Sequence, residues 1–267
     1  MTSPPDEVGP SAVLSVAVQF LGNAGVCLRR GEARAYVDSF FYPAPHVGTP
    51  PVLKGRDAQK ADVILVTHIH ADHFLGAEIA AAAQASGAVV VGPAVVTERM
   101  ARHLPADRLA ALEPPEGAKP YASVRRSFGA FAVTAFRTRH GGGGHNSYLL
   151  ETGGWRFYHD GDNESARFCD RTALASLDAL FLCPWQGSGA LDLVRAIRPR
   201  QWFLIHLTGE ELAQHEAGEF MPGMFPGETA LPEAAAVRPG GEYQWPTALS
   251  AGEPEMLAGG KAPGGDA

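Results

Sequence analysis

Short apolar runs separated by glycine- and proline-rich turns dominate this chain. Runs that alternate or are rich in β-branched residues predict strands, and longer runs with helical spacing predict helices. The predicted strands are 15–20, 26–29, 33–37, 63–67, 88–91, 131–136, 148–151, 155–158, 179–182 and 202–205, and the predicted helices are 77–85, 95–103, 166–176, 191–197 and 210–216. The strands fall into two groups, which favours two sheets packed face to face with helices outside.

The domain organisation follows from where the irregular stretches fall. Residues 12–250 are interpreted as a single domain, and 1–11 and 251–267 as disordered tails, the second because it is rich in glycine, proline and alanine. Segments 40–51 and 113–120, both interrupted by prolines, are predicted loops. A chain of 267 residues can bury a substantial core in one domain.

Four apolar runs lead into a residue that can bind a metal ion. These residues are Asp38, His68, Asp162 and His206, each at or shortly after the end of a predicted strand. An aspartate that closes a single strand is more often a turn former than a ligand. Four such ends in one chain favour a common site at which the strand ends converge.

The densest group of metal-binding side chains follows the apolar run 63–67: His68, His70, Asp72 and His73 fall within six residues. Side-chain alternation puts His68 and His70 on the same face of an extended chain, roughly 6–7 Å apart. A polar strand end with an incidental histidine would explain one of these residues, but not three histidines with an aspartate. Imidazole and carboxylate ligands suit zinc, manganese or iron better than an ion that prefers thiolates. The segment therefore predicts a metal site.

A glycine-rich stretch, 138–147, contains two further histidines. Its four consecutive glycines exclude a helix and let the backbone pass close to a bound ion or substrate. A solvent-facing glycine loop with incidental histidines is the alternative. His140 is favoured as a ligand because it closely follows a predicted strand, which leaves His145 as a substrate contact or a support for the ligands.

Composition and charge narrow the class of partner. The net charge of −7 argues against a large basic face, so a nucleic acid is not a favoured partner. The three cysteines form no CxxC pair, which argues against a zinc ribbon and a disulfide framework. The N-terminal residues do not resemble a signal peptide, and no run is long enough to span a bilayer. A cytoplasmic protein without a membrane partner is expected; the oligomeric state, including a homo-oligomer, stays open.

The motif at 68–73 resembles the HxHxDH signature of the metallo-β-lactamase superfamily. Segments 18–27 and 36–38 are similar to the opening hairpin of its lactonase-like branch, which is related to ascorbate-6-phosphate lactonase. The similarity extends over most of the chain, from about residue 16 to about residue 210. The resemblance implies an α/β (α+β) fold, a four-layer αβ/βα sandwich of two mixed β-sheets flanked by helices, with a dinuclear metal site along one edge.

The resemblance also implies which residues bind metal. Every ligand position of the family has a metal-binding residue here: His68, His70 and His140 for a first ion, Asp72, His73 and His206 for a second, and Asp162 as the bridge. Asp38 would orient the histidine-bearing loop. Two divalent ions are expected, Zn²⁺ in the first place, with Mn²⁺ or Fe²⁺ as alternatives. The chain departs from the pattern at Asn23, where this branch often has histidine, and at Asp160, a second carboxylate near Asp162.

The expected activity is hydrolysis of a small molecule that carries a lactone, ester or amide bond. Two metal ions about 3.5–4 Å apart can hold a bridging water and lower its pKa, so that hydroxide attacks the carbonyl. Asp72 would steer the proton of the nucleophile, and His145, if it binds no metal, would donate a proton to the leaving group. The alternatives are a phosphodiesterase or nuclease of the same fold, and a non-hydrolytic redox or regulatory metal-binding protein.

Overall fold

The computed structural model describes residues 15–43, 48–115, 117–118, 121–141, 143–228, 230–235, 237–245 and 255–256. Within these ranges two mixed β-sheets pack against each other and helices cover their outer faces. This is the four-layer arrangement that the sequence predicted, and the expected fold class is confirmed. No helix in the described ranges is long and apolar enough to cross a membrane.

The first sheet has the strand order β14-β13-β1-β2-β3-β4-β5-β6. Its strands are β1 (Val16–Gly22), β2 (Gly25–Arg30), β3 (Ala33–Val37), β4 (Val63–Leu65), β5 (Val89–Gly92), β6 (Leu109–Ala111), β13 (Glu242–Trp245) and β14 (Glu255–Met256). Strands β3 to β6 run parallel, whereas the pairs from β14 to β3 are antiparallel. The carboxyl ends of β3 and β4 therefore lie at the same edge.

The second sheet has the strand order β12-β11-β10-β9-β8-β7. Its strands are β7 (Ser123–Phe128), β8 (Phe131–Thr138), β9 (His145–Thr152), β10 (Trp155–His159), β11 (Ala179–Leu182) and β12 (Gln201–Leu204). Strands β10, β11 and β12 are parallel, so the segments that follow β10 and β12 also leave the sheet at one edge.

Helices cover the outer face of each sheet. They are α1 (Gly76–Ser86), α2 (Ala94–Met100), α3 (Ser188–Ile197), α4 (Gly209–Glu216) and α5 (Phe220–Met224). Buried residues of α1 and α2 pack on the first sheet, and those of α3 and α5 pack on the second. Each sheet is thus covered on both faces, which is why its central strands are apolar on both sides.

The core between the sheets sets the distance between them. Phe20 of β1 contacts Phe203 of β12 with ring centroids 5.2 Å apart, and Phe181 of β11 stacks on Phe203 at 5.4 Å. All three side chains are buried. Burying a phenylalanine stabilises the fold by about 1.5–3 kcal/mol. The contact between Phe20 and Phe203 joins strands of different sheets, so it also holds the metal-binding strand ends of the two sheets beside each other.

The helix predicted over 166–176 is wrong. The structure has a single 3-10 turn, Ala166–Phe168, followed by irregular turns. Asp170 Oδ1 accepts hydrogen bonds from the backbone N–H groups of Thr172 and Ala173, and this local bonding competes with a helix. The Arg156 guanidinium also donates to the carbonyl oxygens of Ala173 and Ala175, which would otherwise serve helical hydrogen bonds.

Several short elements escaped prediction, and the predicted tails are mostly untested. Strands β6, β7 and β13 and helix α5 were not predicted, because they are short or, in β7, mostly exposed and charged.

Residues 1–11 lie outside the described residues. Of the second predicted tail, 251–267, the structure describes Glu255–Met256, which form the edge strand β14. The single domain over 12–250 stays a prediction.

Candidate metal centre

The four strand ends singled out in the sequence lie at one edge of the two sheets. Asp38 follows β3, and His68 lies three residues beyond the end of β4 in the same sheet. Asp162 follows β10, and His206 follows β12 in the other sheet. Parallel pairing places the ends of β3 and β4 at one edge of the first sheet and those of β10 and β12 at one edge of the second. The packing of the two sheets brings these edges together. The predicted convergence is present.

The predicted ligand residues form two adjacent groups. In each group the candidate ligand atoms lie within 4.8 Å of one another; the groups are His68, His70 and His140, and Asp72, His73, Asp162 and His206. In the first group His140 Nε2 is 2.9 Å from His70 Nδ1. In the second, His206 Nε2 is 2.7 Å from Asp72 Oδ2, and His73 Nε2 is 3.0 Å from Asp162 Oδ1. Side chains from distant parts of the chain thus meet at distances suited to a shared cation.

Asp162 lies between the two groups. Its Oδ2 is 3.3 Å from His206 Nε2 in its own group. The same atom is 3.8 Å from His68 Nε2 and 3.8 Å from His140 Nε2 in the other group. One carboxylate therefore faces both sets of imidazoles, which is the position a bridging ligand would need.

Buried hydrogen bonds fix which ring nitrogen of two histidines faces the centre. Asp38 accepts hydrogen bonds from the Thr67 backbone N–H (2.8 Å), from the Thr67 hydroxyl (2.6 Å) and from His73 Nδ1 (2.8 Å). Since the Thr67 hydroxyl hydrogen is used on Asp38, its oxygen accepts from His68 Nδ1 at 3.0 Å. Both imidazoles therefore carry a proton on Nδ1 and present Nε2 to the centre, as metal-binding histidines usually do.

Unpartnered atoms show that the cluster fits metal ions. Nε2 of His68, Nε2 of His73 and Oδ1 of Asp162 are buried and have no partner in hydrogen-bonding geometry. Buried polar atoms are nearly always satisfied, and leaving one without a partner costs about 1–3 kcal/mol. Three such atoms gathered in one cluster, all of ligand type, indicate the place of a cation.

The electrostatics of the centre reflect closely packed imidazoles and carboxylates. Burial, reinforced by the neighbouring His73, depresses the pKa of His68 far below its usual range. Burial also opposes the charged form of His206, but hydrogen bonds to Asp162 and Asp72 prevail and raise its pKa to about 9. In the same way the Asp162 and Asp38 carboxylates overcome burial and hold the pKa of His73 well above 6.5.

The pKa values of the carboxylates shift in the opposite direction, downward. Burial favours the neutral form of Asp72, yet the hydrogen bond from His206 and the nearby positive charge of His73 hold its pKa well below 3.8. The pKa of Asp162 is likewise depressed against the effect of burial, chiefly by His73 and His206. Both carboxylates are therefore ionised at neutral pH. In the metal-free protein the protonated His73 and His206 supply the positive charge that a metal ion would otherwise supply.

His145 has hydrogen-bond partners that differ from those the sequence hypothesis required of a proton donor. It is buried, and its Nδ1 is 2.8 Å from the Thr138 hydroxyl. Its Nε2 accepts a hydrogen bond from the backbone N–H of Asp162 at 3.0 Å. Burial lowers its pKa to about 3, so the ring is neutral. Both nitrogens are engaged within the protein, and the geometry favours a role in positioning Asp162.

Asp160, the second carboxylate near Asp162, points into a separate buried cluster. It accepts hydrogen bonds from Asn163 and from Gln186, and the Ser147 hydroxyl lies 3.4 Å from its Oδ1. Burial raises its pKa to about 7. It belongs to neither ligand group in the part of the chain that the structure describes.

Two supporting residues, Thr67 and Glu164, were not recognised in the sequence, whereas Trp185 was a candidate for lining a pocket over the metals. Thr67 links Asp38 to His68 as described above. Glu164 Oε1 lies 2.9 Å from His140 Nδ1, so it orients that ring; its place two residues beyond Asp162 was the available signal. The ring of Trp185, 49% exposed, lies 5.9 Å from that of His206 and borders the centre.

Backbone strain is concentrated at this edge. Asn23, Asp38 and His206 have φ angles of 43°, 45° and 65°, in the left-handed region that non-glycine residues seldom adopt. Asn23 Nδ2 donates to the carbonyl oxygen of Asp72 at 2.9 Å, so it supports the ligand loop. Strained residues of this kind persist where surrounding structure holds them, and they often lie at functional sites.

Known proteins resemble this chain over most of its length. The family described as the β-lactamase superfamily domain matches residues 35–207. A UPF0173 metal-dependent hydrolase of Thermus thermophilus is 28% identical over 244 residues, covering 80% of this chain and 97% of that protein. Another of Carboxydothermus hydrogenoformans is 26% identical over 221 residues, covering 76% of this chain and 89% of that protein.

Solved structures share the fold at lower identity. The metallo hydrolase Igni18 of Ignicoccus hospitalis superposes with a TM-score of 0.58 at 14% identity, over 87% of this chain and 99% of that chain. The metallo-β-lactamase fold protein YhfI of Bacillus subtilis also gives a TM-score of 0.58 at 14% identity, over 87% of this chain and all of that chain, 100%. At these identities the likeness is one of fold.

Proposed function

Because the chain belongs to the family of the β-lactamase superfamily domain, we propose that it is a metal-dependent hydrolase acting on a small-molecule lactone, ester or amide. The observation that carries the proposal is the pair of ligand groups with Asp162 between them. The names of the relatives from Thermus and Carboxydothermus, both metal-dependent hydrolases, support the same class of activity.

The proposed site holds two divalent ions, with Zn²⁺ preferred because imidazole and carboxylate ligands suit it, and Mn²⁺ or Fe²⁺ as alternatives. Each ion would have three ligands of its own and share Asp162: His68, His70 and His140 for one ion, and Asp72, His73 and His206 for the other. When bound, the ions would lower the pKa of a coordinated water and polarise the carbonyl of the substrate.

The protein's own groups would position the reactants. Asp72 is partly exposed and ionised at neutral pH, so its carboxylate can accept a hydrogen bond from the attacking water. His70, the exposed member of the first group, leaves that side open to a substrate. His145 has both nitrogens bonded within the protein, so it is assigned no proton transfer and instead holds the backbone of Asp162.

A small-molecule substrate is favoured over a nucleic acid by the charge of the molecule. The net charge of −7 would repel a polyanion from most of the surface. Trp185, which borders the centre, is aromatic rather than basic. The screen described next includes phosphodiesters so that the alternative activity is measured directly.

Metal content and turnover of matched variants test the proposal. Protein purified with added Zn²⁺, Mn²⁺ or Fe²⁺ should hold close to two ions per chain and hydrolyse members of a lactone, ester and amide panel. His68→Ala should lose metal and turnover together. His103→Ala is the control, because His103 is an exposed histidine outside both ligand groups. Unchanged metal content and turnover in His68→Ala, or turnover confined to phosphodiesters, would contradict the proposal.

A further inference from the structure

Large apolar side chains are exposed at few positions in the described ranges, and most of these positions are close to the metal centre. The exposed residues are Tyr42, Val52, Tyr121, Phe168 and Trp185. Trp185 contacts His206, and the backbone N–H of Tyr42 donates to the carbonyl oxygen of Ala71 within the ligand loop at 2.7 Å. Isolated apolar residues on a surface need no explanation, but aromatic residues gathered around one opening do.

Tyr121 and Phe168 line a cavity of about 950 Å³ next to the centre. Val95 and Pro114 contribute further apolar wall, and His140 lines the cavity as well. His140 is at the same time a member of the first ligand group. The cavity and the metal centre thus share a wall, and a molecule whose reactive bond lies at the centre can extend into the cavity.

The glycine-rich loop shapes the junction between cavity and centre. Gly144 has a φ angle of 66°, and a Cβ placed on it would lie 2.8 Å from Val95 Cγ1. The loop therefore packs directly on the apolar wall at a distance that a larger residue would prevent. This contact fixes the cavity relative to the loop that begins at His140.

Four charged side chains line the cavity, Glu98, Glu113, Arg137 and Arg139, and two of them, Arg137 and Glu113, are paired with each other. The Arg137 guanidinium donates to the Pro114 carbonyl oxygen at 2.5 Å and pairs with Glu113 at 3.5 Å. Glu113 also accepts a hydrogen bond from the Ala94 backbone N–H. These groups are bonded to each other and to the backbone, so they leave an apolar surface available for a ligand.

We propose that this cavity binds an apolar group of the substrate, so that the enzyme acts on esters or lactones carrying a medium-length alkyl, acyl or aromatic group. The inference rests on the proposed hydrolase function and specifies its substrate class. A cavity of about 300–1,000 Å³ is typical for a drug-sized ligand, and 950 Å³ is far more than an acetyl group needs. Tyr121 and Phe168 are then specificity-determining residues.

The dependence of hydrolysis on chain length tests this assignment. With p-nitrophenyl esters from acetate to dodecanoate and with alkyl-substituted lactones, kcat/KM should rise about two- to fourfold for each methylene that enters the cavity, until the cavity is filled. The change should appear mainly in KM. Phe168→Ala should flatten this dependence, because it should raise KM most for the longest substrates. Phe168→Leu, which retains an apolar side chain, should restore much of the dependence.

Val52→Ala is the matched control, since Val52 is a similarly exposed apolar residue that does not line the cavity. It should leave the chain-length dependence unchanged. All of these residues are exposed, and substitutions at such surface positions seldom change stability much, so the variants should fold. Hydrolysis independent of chain length, or an equal effect of Val52→Ala and Phe168→Ala, would overturn the inference.

A binding measurement separates this inference from the proposed function. Calorimetric titration with acetate, octanoate and dodecanoate should show tighter binding of the longer carboxylates, weakened by Phe168→Ala, whether or not any ester is hydrolysed. Binding without hydrolysis would refute the hydrolase assignment and support the apolar site. Hydrolysis of acetate esters without preferential binding of octanoate would support the hydrolase assignment and refute the apolar site. A dimer lost on Phe168→Ala, with unchanged KM, would assign this face to a second copy of the chain and refute the inference.

Discussion

Replacing Asp38 by asparagine should weaken metal binding although Asp38 belongs to neither ligand group. Asp38 is buried with a φ angle of 45°, a conformation that asparagine tolerates, so the backbone should be retained. The Oδ1 position can still accept from the Thr67 N–H at 2.8 Å. The amide nitrogen, however, would face the Thr67 hydroxyl and His73 Nδ1, where Asp38 Oδ2 now accepts both hydrogen bonds.

The consequence is a change of tautomer at His73. The amide N–H introduced at position 38 donates, so His73 Nδ1 must become an acceptor and lose its proton, and the ring keeps a single proton on Nε2, the atom that faces Asp162. That proton competes directly with a metal ion. Loss of such a hydrogen-bond partner typically lowers metal affinity 10- to 100-fold. Since a hydrogen bond to a charged group contributes about 1.5–3 kcal/mol, the metal-free variant should also lose about 2–4 kcal/mol of stability.

Asp178→Asn is the control for Asp38→Asn. Asp178 is also buried, accepts from the Arg156 backbone N–H at 2.8 Å and pairs with Arg200 at 3.3 Å. It precedes β11 at the edge opposite the metal centre. Both variants should be destabilised in urea unfolding with chelator present, but only Asp38→Asn should lose affinity in a competition assay with a metal-binding dye.

Imidazole ¹⁵N chemical shifts report the tautomer of His73 independently of affinity. In the metal-free wild type the raised pKa of His73 keeps the ring charged, so both nitrogens should carry a proton. Asp38→Asn should lose the proton on Nδ1 and keep the one on Nε2, and the Asp178→Asn spectrum should match that of the wild type. A variant Asp38→Asn that binds metal as tightly as Asp178→Asn, or that keeps the proton on Nδ1, would refute the tautomer argument. Weaker binding with an unchanged tautomer would refute it too, since the loss would then need another cause.

Three further outcomes are expected. Because the pKa of His206 is raised to about 9, the stability that this residue contributes to the metal-free protein is present below about pH 6.5 and should be lost between pH 6.5 and 9. Thermal melts with chelator present measure this loss. Metal affinity should rise over the same pH range, because the proton on His206 becomes easier to displace. His140→Ala should reduce the metal content per chain, while His145→Ala should retain at least part of it, and equal complete loss would contradict the ligand assignment. Gly161→Ala should abolish turnover and lower the free energy of unfolding by more than about 1 kcal/mol. The φ angle of Gly161 is 61°, and the Cβ of the alanine would lie 2.6 Å from His145 Nε2. An unchanged kcat would refute this prediction.

The ligand residues on one segment were the most readily predicted part of the site. His68 to His73 are adjacent in sequence, so alternation and a single turn suffice to place them together. The strands that carry Asp38, Asp162 and His206 were also predictable, since each is a short apolar run. That these ends face one another depends on the parallel pairing of strands far apart in sequence. The recurrence of ligand-type residues at four strand ends favoured it, and the resemblance to a known family added the assignment of each residue to an ion.

The difference between Asp160 and Asp162 depends on where the alternation of β10 ends. Tyr158 and Asp160 lie two residues apart on one extended segment, whose ladder continues through the bond from the Asp160 N–H to the Phe181 carbonyl oxygen. They therefore share a face, and that face packs toward Cys169, away from the metal centre. Gly161, with its φ angle of 61°, breaks the alternation and turns Asp162 to the other side.

The two histidines of the glycine-rich loop show what the local sequence pattern cannot predict. Strand β9 was predicted to begin at Tyr148 but begins at His145, which pairs directly with Thr138 at the end of β8. Inside the sheet, His145 is held in register beside the centre, while His140, in the connecting loop, extends past the sheet edge to reach His70. Which histidine is free to bind metal is thus decided by the register of β8 against β9. Since His145-Asn-Ser carries no strong strand signal of its own, that register depends on pairing with a neighbouring strand, and a sequence window that contains both histidines cannot distinguish them.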